Sequence, residues 1–281
     1  MTADITETRA DDGASPPAGS RLRGGLALFA LGMTGVVAIA MTVAPTLRGT
    51  PGLEGLSYPA LVAVAAANST VLLAVFVALG AVTAPRVGLR SHVYAWASGG
   101  RPDWSAVRDS LPLAVAVGAA TFVVVFVLDA AFAPFVAIDG GMAGSDAETL
   151  RALAASAPYR LLYGGITEEL LLRWGVMAPL AWALWWVGNR VGERRPSPSA
   201  AAVWAAIVVA AVLFGLGHLP ALLATYDASV ALVVRTVLLN TIAGVALGWL
   251  FWRRSLETAM VAHASFHVTL LTVSAVLVVA L

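Results

Sequence analysis

Seven stretches of the chain are almost continuously apolar, near residues 25–45, 59–84, 111–134, 158–188, 200–221, 229–252 and 256–280. An α-helix needs roughly 20 mainly apolar residues to cross a bilayer. The pattern therefore predicts an all-α fold, a polytopic bundle of transmembrane helices with about seven spans. The run at 158–188 is long for one crossing, and Pro179 divides it. Its second piece, VMAPLAWALWWVGN at 176–189, is short for a separate span. One long, kinked helix is the preferred reading, and eight spans is the alternative. The loops at 85–109 and 135–156 are the long ones, and the first, with RPDW at 101–104, is expected to hold a short interfacial helix. No soluble domain and no repeat is visible, so residues 21–281 read as a single transmembrane domain. The polar, acidic residues 1–20 read as a disordered cytoplasmic tail, since they lack the basic start of a secretory signal.

Arginine placement supports the count. Short cytoplasmic loops are enriched in basic residues. With seven spans and a cytoplasmic N-terminus, Arg9, Arg21, Arg23, Arg86, Arg90, Arg101, Arg108, Arg190, Arg194, Arg195, Arg253 and Arg254 share the inner side. Only Arg48, Arg151 and Arg160 fall on or near the outer face. Splitting the fourth run would carry the GERRPSPS loop outside and spoil this asymmetry. Composition agrees: 59% of the 281 residues are hydrophobic and 12% charged, against roughly 25% charged in soluble domains. The net charge of +1 and the absence of a basic face argue against a nucleic-acid partner. There is no cysteine, which removes disulfides, thiolate metal sites and cysteine nucleophiles.

Against this background the segment GGITEELLLRWG, residues 164–175, stands out. A charge at mid-bilayer costs on the order of 2.5–3.5 kcal/mol, so Glu168, Glu169 and Arg173 need partners or a wet cavity. Glu169 and Arg173 are four residues apart and can pair on one helix face. Glu168 is turned about 100° away at 3.6 residues per turn and stays available for chemistry. Three of the four histidines also lie in apolar segments: His218, His263 and His267. The last two are four apart and share a face, a spacing that suits two ligands on one ion or two donors on one oxyanion. Counted from the span ends, Glu168, His218 and His267 lie in the middle third of their runs. They are expected to converge in one polar cavity, although His218 comes out nearer the outer side and His263 nearer the inner one, so helices must tilt or break.

The order E-E-x-x-x-R at Glu168, Glu169 and Arg173, F-x-x-x-H at Phe214 and His218, and H-x-x-x-polar at His263 and His267 resembles the CAAX protease and bacteriocin-processing (CPBP, or Abi) family of intramembrane proteases. NTIAGVALGWLFWRRSLETAMVAHASFH at 240–267 is similar to the last motif region of that family. The resemblance covers about 158–275 and leaves the first three helices unassigned. It implies an intramembrane endopeptidase acting on a peptide or membrane-protein substrate, prenylated in the eukaryotic branch. By that carry-over Glu168 is the general base, His218 positions the water, and His263 and His267 bind a metal or stabilise the oxyanion. The family often has asparagine where this chain has His267. A divalent metal such as zinc, held by His218, His263 and His267, stands beside a metal-independent mechanism. Neutral imidazoles suit both, because they can hold an ion that acidifies water or donate N–H bonds to a tetrahedral anion.

Two other functions fit intramembrane carboxylates and histidines. One is a transporter or proton-coupled carrier, against which stand the few spans and the lack of a repeat. The other is a non-catalytic immunity or helper protein of the same fold. Of the remaining polar residues, Arg235 is expected to snorkel at the outer end of its span and Asp129 to be hydrated. Asn240 either bonds between helices or contacts substrate. Gly244 and Gly248 form a small-residue packing face, Phe214 shapes a cavity wall, and the tryptophans fit interfacial belts.

Overall fold

The computed structural model describes residues 18–136, 145–192 and 194–280. The first 17 residues of the proposed tail lie outside the described residues. Among the described residues the fold is all α-helix, and seven helical runs are long and apolar enough to cross a membrane. Helix α1 covers Ala18–Val43, α2 Tyr58–Thr83, α3 His92–Ala97 and α4 Trp104–Phe132. A continuous run follows, from α5 (Asp146–Tyr159) through wide π-type turns at Arg160–Glu168 and Leu170–Met177 into α6 (Ala178–Val191). Then come α7 (Ala200–Gly217), α8 (Leu219–Thr225), α9 (Val230–Arg253) and α10 (Leu256–Ala280).

One loop expectation is corrected and the other is met. The segment 135–156 is not all loop, because helix begins at Asp146. A capping box causes this: the Ser145 hydroxyl accepts from the Glu148 N–H, and the Glu148 carboxylate accepts from the Ser145 N–H at 2.8 Å. The loop at 85–109 does hold a short helix, at His92–Ala97. Asp103 of the RPDW motif caps α4 by accepting from the Ala106 N–H at 2.9 Å.

The fourth run is one helical path, Asp146–Val191, of 46 residues. At about 1.5 Å per residue a straight helix of that length would far exceed the roughly 30 Å apolar core of a bilayer. The charged α5 therefore extends it past the apolar layer. Its middle is the centre of the bundle, and three neighbours are fastened to it by polar bonds. Thr167 donates to the Gly32 carbonyl of α1 at 2.7 Å, the Trp174 indole to Val77 of α2 at 3.2 Å, and Arg173 to Gly244 of α9 at 3.2 Å. Leu170, Trp174, Met177 and Ala178 are fully buried around these bonds. Trp174 thus departs from the interfacial-belt expectation and is a core residue, while Trp186 is exposed and carries Arg190 over its ring at 4.3 Å.

The small-residue face on α9 does pack closely. A Cβ on Gly244 would stand 2.8 Å from the Ala211 backbone of α7, and one on Gly248 would stand 3.0 Å from Ile207. Tight α7–α9 packing fixes Phe214 and His218 relative to the N-terminal half of α9.

Candidate active site

The site is built outward from the π-type turns. The Ala178 N–H reaches back five residues to the Arg173 carbonyl, the wide ring that defines this geometry and recurs at functional sites. Adjacent Gly164 and Gly165 let α10 come close. A Cβ on Gly164 would lie 2.5 Å from His267 Nε2, and one on Gly165 3.2 Å from Ala264.

The two glutamates have different surroundings. Glu169 is fully buried, with Oε1 3.1 Å from Arg173 Nη1 and 2.8 Å from His263 Nδ1. The Arg173 contact is off the N–H direction, so charge rather than an aligned bond holds it. Glu169 Oε2 is buried with no protein hydrogen-bond partner. Arg173 also lies over the Phe214 ring, 4.9 Å from its centroid. Glu168 instead lines a cavity of about 900 Å³, with Oε2 3.9 Å from His263 Nε2.

All three span histidines line the same cavity. His218 sits where α7 ends, and the outcome is a break: α7 stops at Gly217 and α8 starts at Leu219. Pro220 lacks the N–H that would continue the ladder. His218 is thereby at a helix end rather than mid-span, which corrects the middle-third expectation. Its Nδ1 is 2.8 Å from the Phe214 carbonyl. A carbonyl only accepts, so Nδ1 carries the proton and Nε2 is left free. His263 is held on one edge by Glu169 and edge-on to Phe214 at 6.0 Å. His267 stacks on His263, with centroids 4.9 Å apart and planes 21° apart, and its Nδ1 is buried without a partner. Phe214, as expected, forms cavity wall.

This arrangement gathers a carboxylate and three imidazoles from the central run, α7–α8 and α10 around one space. A second carboxylate and a guanidinium stand directly behind. Residues 151–269 match the family model described as Type II CAAX prenyl endopeptidase, Rce1-like. The match supports the CAAX protease family for this stretch of the chain. The stretch contains all six residues singled out from the sequence. No curated protein and no solved structure matches the chain.

The metal set His218, His263 and His267 does not fit as it stands. Among the described residues no group of three or more His, Asp or Glu is arranged to hold an ion. The physical reason is the stacking of His263 on His267. Imidazole lone pairs lie in the ring plane, so two near-parallel rings 4.9 Å apart direct them side by side rather than to one point about 2.0–2.1 Å from each. One edge of His263 is also taken by Glu169.

The sequence reading missed three cavity residues of this CAAX-protease segment. Arg160 and Tyr163 line the cavity, and the spacing Arg160, Gly164, Glu168 is a four-residue repeat that helical periodicity could have exposed. Arg235 also lines it and does not simply snorkel. It pairs with Asp129 across α4 and α9, and the Asp129 side chain stays 39% exposed beside it. Their similar distances from the C-terminal end of α4 and the N-terminal end of α9 were the available signal.

Proposed function

We propose that the chain is an intramembrane endopeptidase in which Glu168 activates water for attack on a peptide carbonyl. The observation that carries this reading is the shared cavity: Glu168, His218 and His263 line it together, and Glu168 is the carboxylate without a close cation. A water bonded to both Glu168 and His263 suits their 3.9 Å separation. Glu168 takes its proton as the oxygen adds to the carbonyl, then returns that proton to the departing amide nitrogen. His218 orients the water through its free Nε2. Glu169 accepts the Nδ1–H of His263 and fixes the ring, so that the neutral Nε2 accepts from the same water, the orienting role a buried carboxylate plays behind a catalytic histidine. His267 and Asn240 are the N–H donors on the cavity wall for the developing oxyanion. Asn240 spends one N–H on the Thr236 carbonyl at 2.8 Å and keeps another. Buried polar atoms without partners are rare in folded proteins, and Glu169 Oε2 and His267 Nδ1 both lie at this cluster.

The substrate is a peptide or membrane-protein segment reached from within the bilayer. A lipidated peptide follows from the family description and from the apolar wall of Leu72, Phe76, Leu172 and Leu213. The N-terminus is placed on the arginine-rich, cytoplasmic side.

The test is cleavage of a labelled peptide library, prenylated and unprenylated, by purified protein. Glu168→Gln is expected to fold with unchanged Tm and to lose about 10²–10⁴-fold in kcat, the usual contribution of a general base. Wild-type turnover in that variant removes the proposal. A chelator arm separates the chemistries: activity that survives leaves the water to Glu168 and the imidazoles, while loss reversed by one divalent ion brings a metal into the site.

A further inference from the structure

A second hollow, of about 130 Å³, lies at the other end of α9 from Arg235, where α9 ends, α10 begins and α4 starts. Its floor is made of buried hydroxyls. Ser255 and Thr258 are 1% and 2% exposed, and their oxygens are 3.1 Å apart. Its walls are Arg90, Arg253 and Arg254, which are exposed and have no carboxylate within ion-pair distance among the described residues. His92 adds a donor: Nδ1 accepts the Asp103 N–H at 3.1 Å, so the neutral ring carries its proton on Nε2. The lining has one carboxylate, Asp103. Its Oδ1 is already engaged by the Ser105 hydroxyl at 2.5 Å and the Ala106 N–H at 2.9 Å, bonds that hold its pKa below the usual carboxylate range. Three guanidiniums thus face one committed carboxylate, and the hollow presents a clear excess of donors.

Guanidinium forks with hydroxyl donors match a tetrahedral phosphate. Location narrows its source. The hollow sits at the ends of three candidate spans, beside Trp104 and Trp252, the headgroup depth at which tryptophans collect and at which basic pockets between spans bind anionic lipids. We propose that this pocket binds the phosphate of an anionic phospholipid. The occupant would bridge three pieces of chain that meet here. Arg90 accepts the Leu256 N–H through its carbonyl at 2.9 Å. Glu257 accepts from the Ser91 hydroxyl at 2.7 Å and the Val93 N–H at 3.0 Å. A lipid clamping Arg90 to Arg253 and Arg254 therefore steadies the start of α10, the helix that carries His263 and His267. The proposal does not depend on the protease reading.

The competing explanation is that these arginines only set topology, as the positive-inside rule requires. Native mass spectrometry of full-length protein released from nanodiscs of phosphatidylcholine with phosphatidylglycerol separates the two. Wild type is expected to retain phosphatidylglycerol about tenfold or more over Arg90→Gln/Arg254→Gln, given the strength of single arginine–lipid attractions. Arg194→Gln/Arg195→Gln, which removes the same charge elsewhere, should behave as wild type. Asp103→Asn, which keeps the helix cap, should raise retention. Equal losses in the two double variants overturn the proposal. So does absence of retention in wild type with Tm protection by inorganic phosphate instead, which assigns the pocket to a soluble ion. Should Arg90→Gln/Arg254→Gln fail to fold, hydrogen exchange on wild type decides. Phosphatidylglycerol must slow the amides of 90–93 and 254–259 relative to phosphatidylcholine alone, and no difference overturns the assignment.

Discussion

Arg173 and Glu169 share the driest part of the molecule, at 2% and 0% side-chain exposure. Removing one member of such a pair leaves a buried charge unmatched, so Arg173→Met is expected to cost about 3–5 kcal/mol in unfolding measurements in detergent. Glu169→Leu/Arg173→Met should recover most of that stability, because an apolar pair of similar volume is tolerated there. It should not recover cleavage, since His263 loses the carboxylate on Nδ1. Stability and activity would then part company, as they would not if the pair were only a helix staple. Gly164 poses the opposite test. A methyl there would stand 2.5 Å from His267 Nε2, so Gly164→Ala should displace that ring. The protein should keep its Tm and lose kcat, by up to about a hundredfold if the displacement approaches 1 Å. Wild-type kcat in Gly164→Ala would place His267 outside the reaction.

At the scale of elements, the long central run separates the surroundings of its two adjacent glutamates. Its wide turns set Glu169 toward Arg173 and His263 while Glu168 meets the cavity. The adjacent glycines at 164 and 165 admit α10. Helix α5 depends on its cap. Ser145→Ala removes the hydroxyl that accepts from Glu148 and should destabilise the first turn by about 1 kcal/mol. Faster amide exchange at 146–150 would show it, with the α10 amides unchanged. The break at His218 is also an element-scale device, because ending α7 at Gly217 moves the histidine off the regular helix and against Phe214.

For the whole molecule, seven crossings would put the start of α1 and the end of α10 on opposite faces, and the lack of cysteine makes that directly testable. Single variants Arg101→Cys and Ser197→Cys should react with an impermeant thiol reagent from one side of sealed vesicles, and Ser57→Cys and Asp227→Cys from the other. Labelling of Arg101→Cys and Ser197→Cys from opposite sides would mean eight spans. The number of apolar runs, the arginine asymmetry and the three polar motifs were legible in the chain, because bilayer thickness and charge cost act on local composition. The start of the helix at 146–159 reads as loop in the sequence, although S-x-x-E at Ser145 and Glu148 is a helix-start pattern. Other features could not be read from local sequence: Trp174 as a core residue, the pairing of Arg235 with Asp129, and the stacking that keeps His263 and His267 from converging on one ion. Those depend on which helices become neighbours and at what depth. Sequence settled which groups cannot face lipid, through the cost of stranding a charge there. Packing between helices settled which of those groups meet, because that distance is set by glycines, breaks and side-chain volume on other spans.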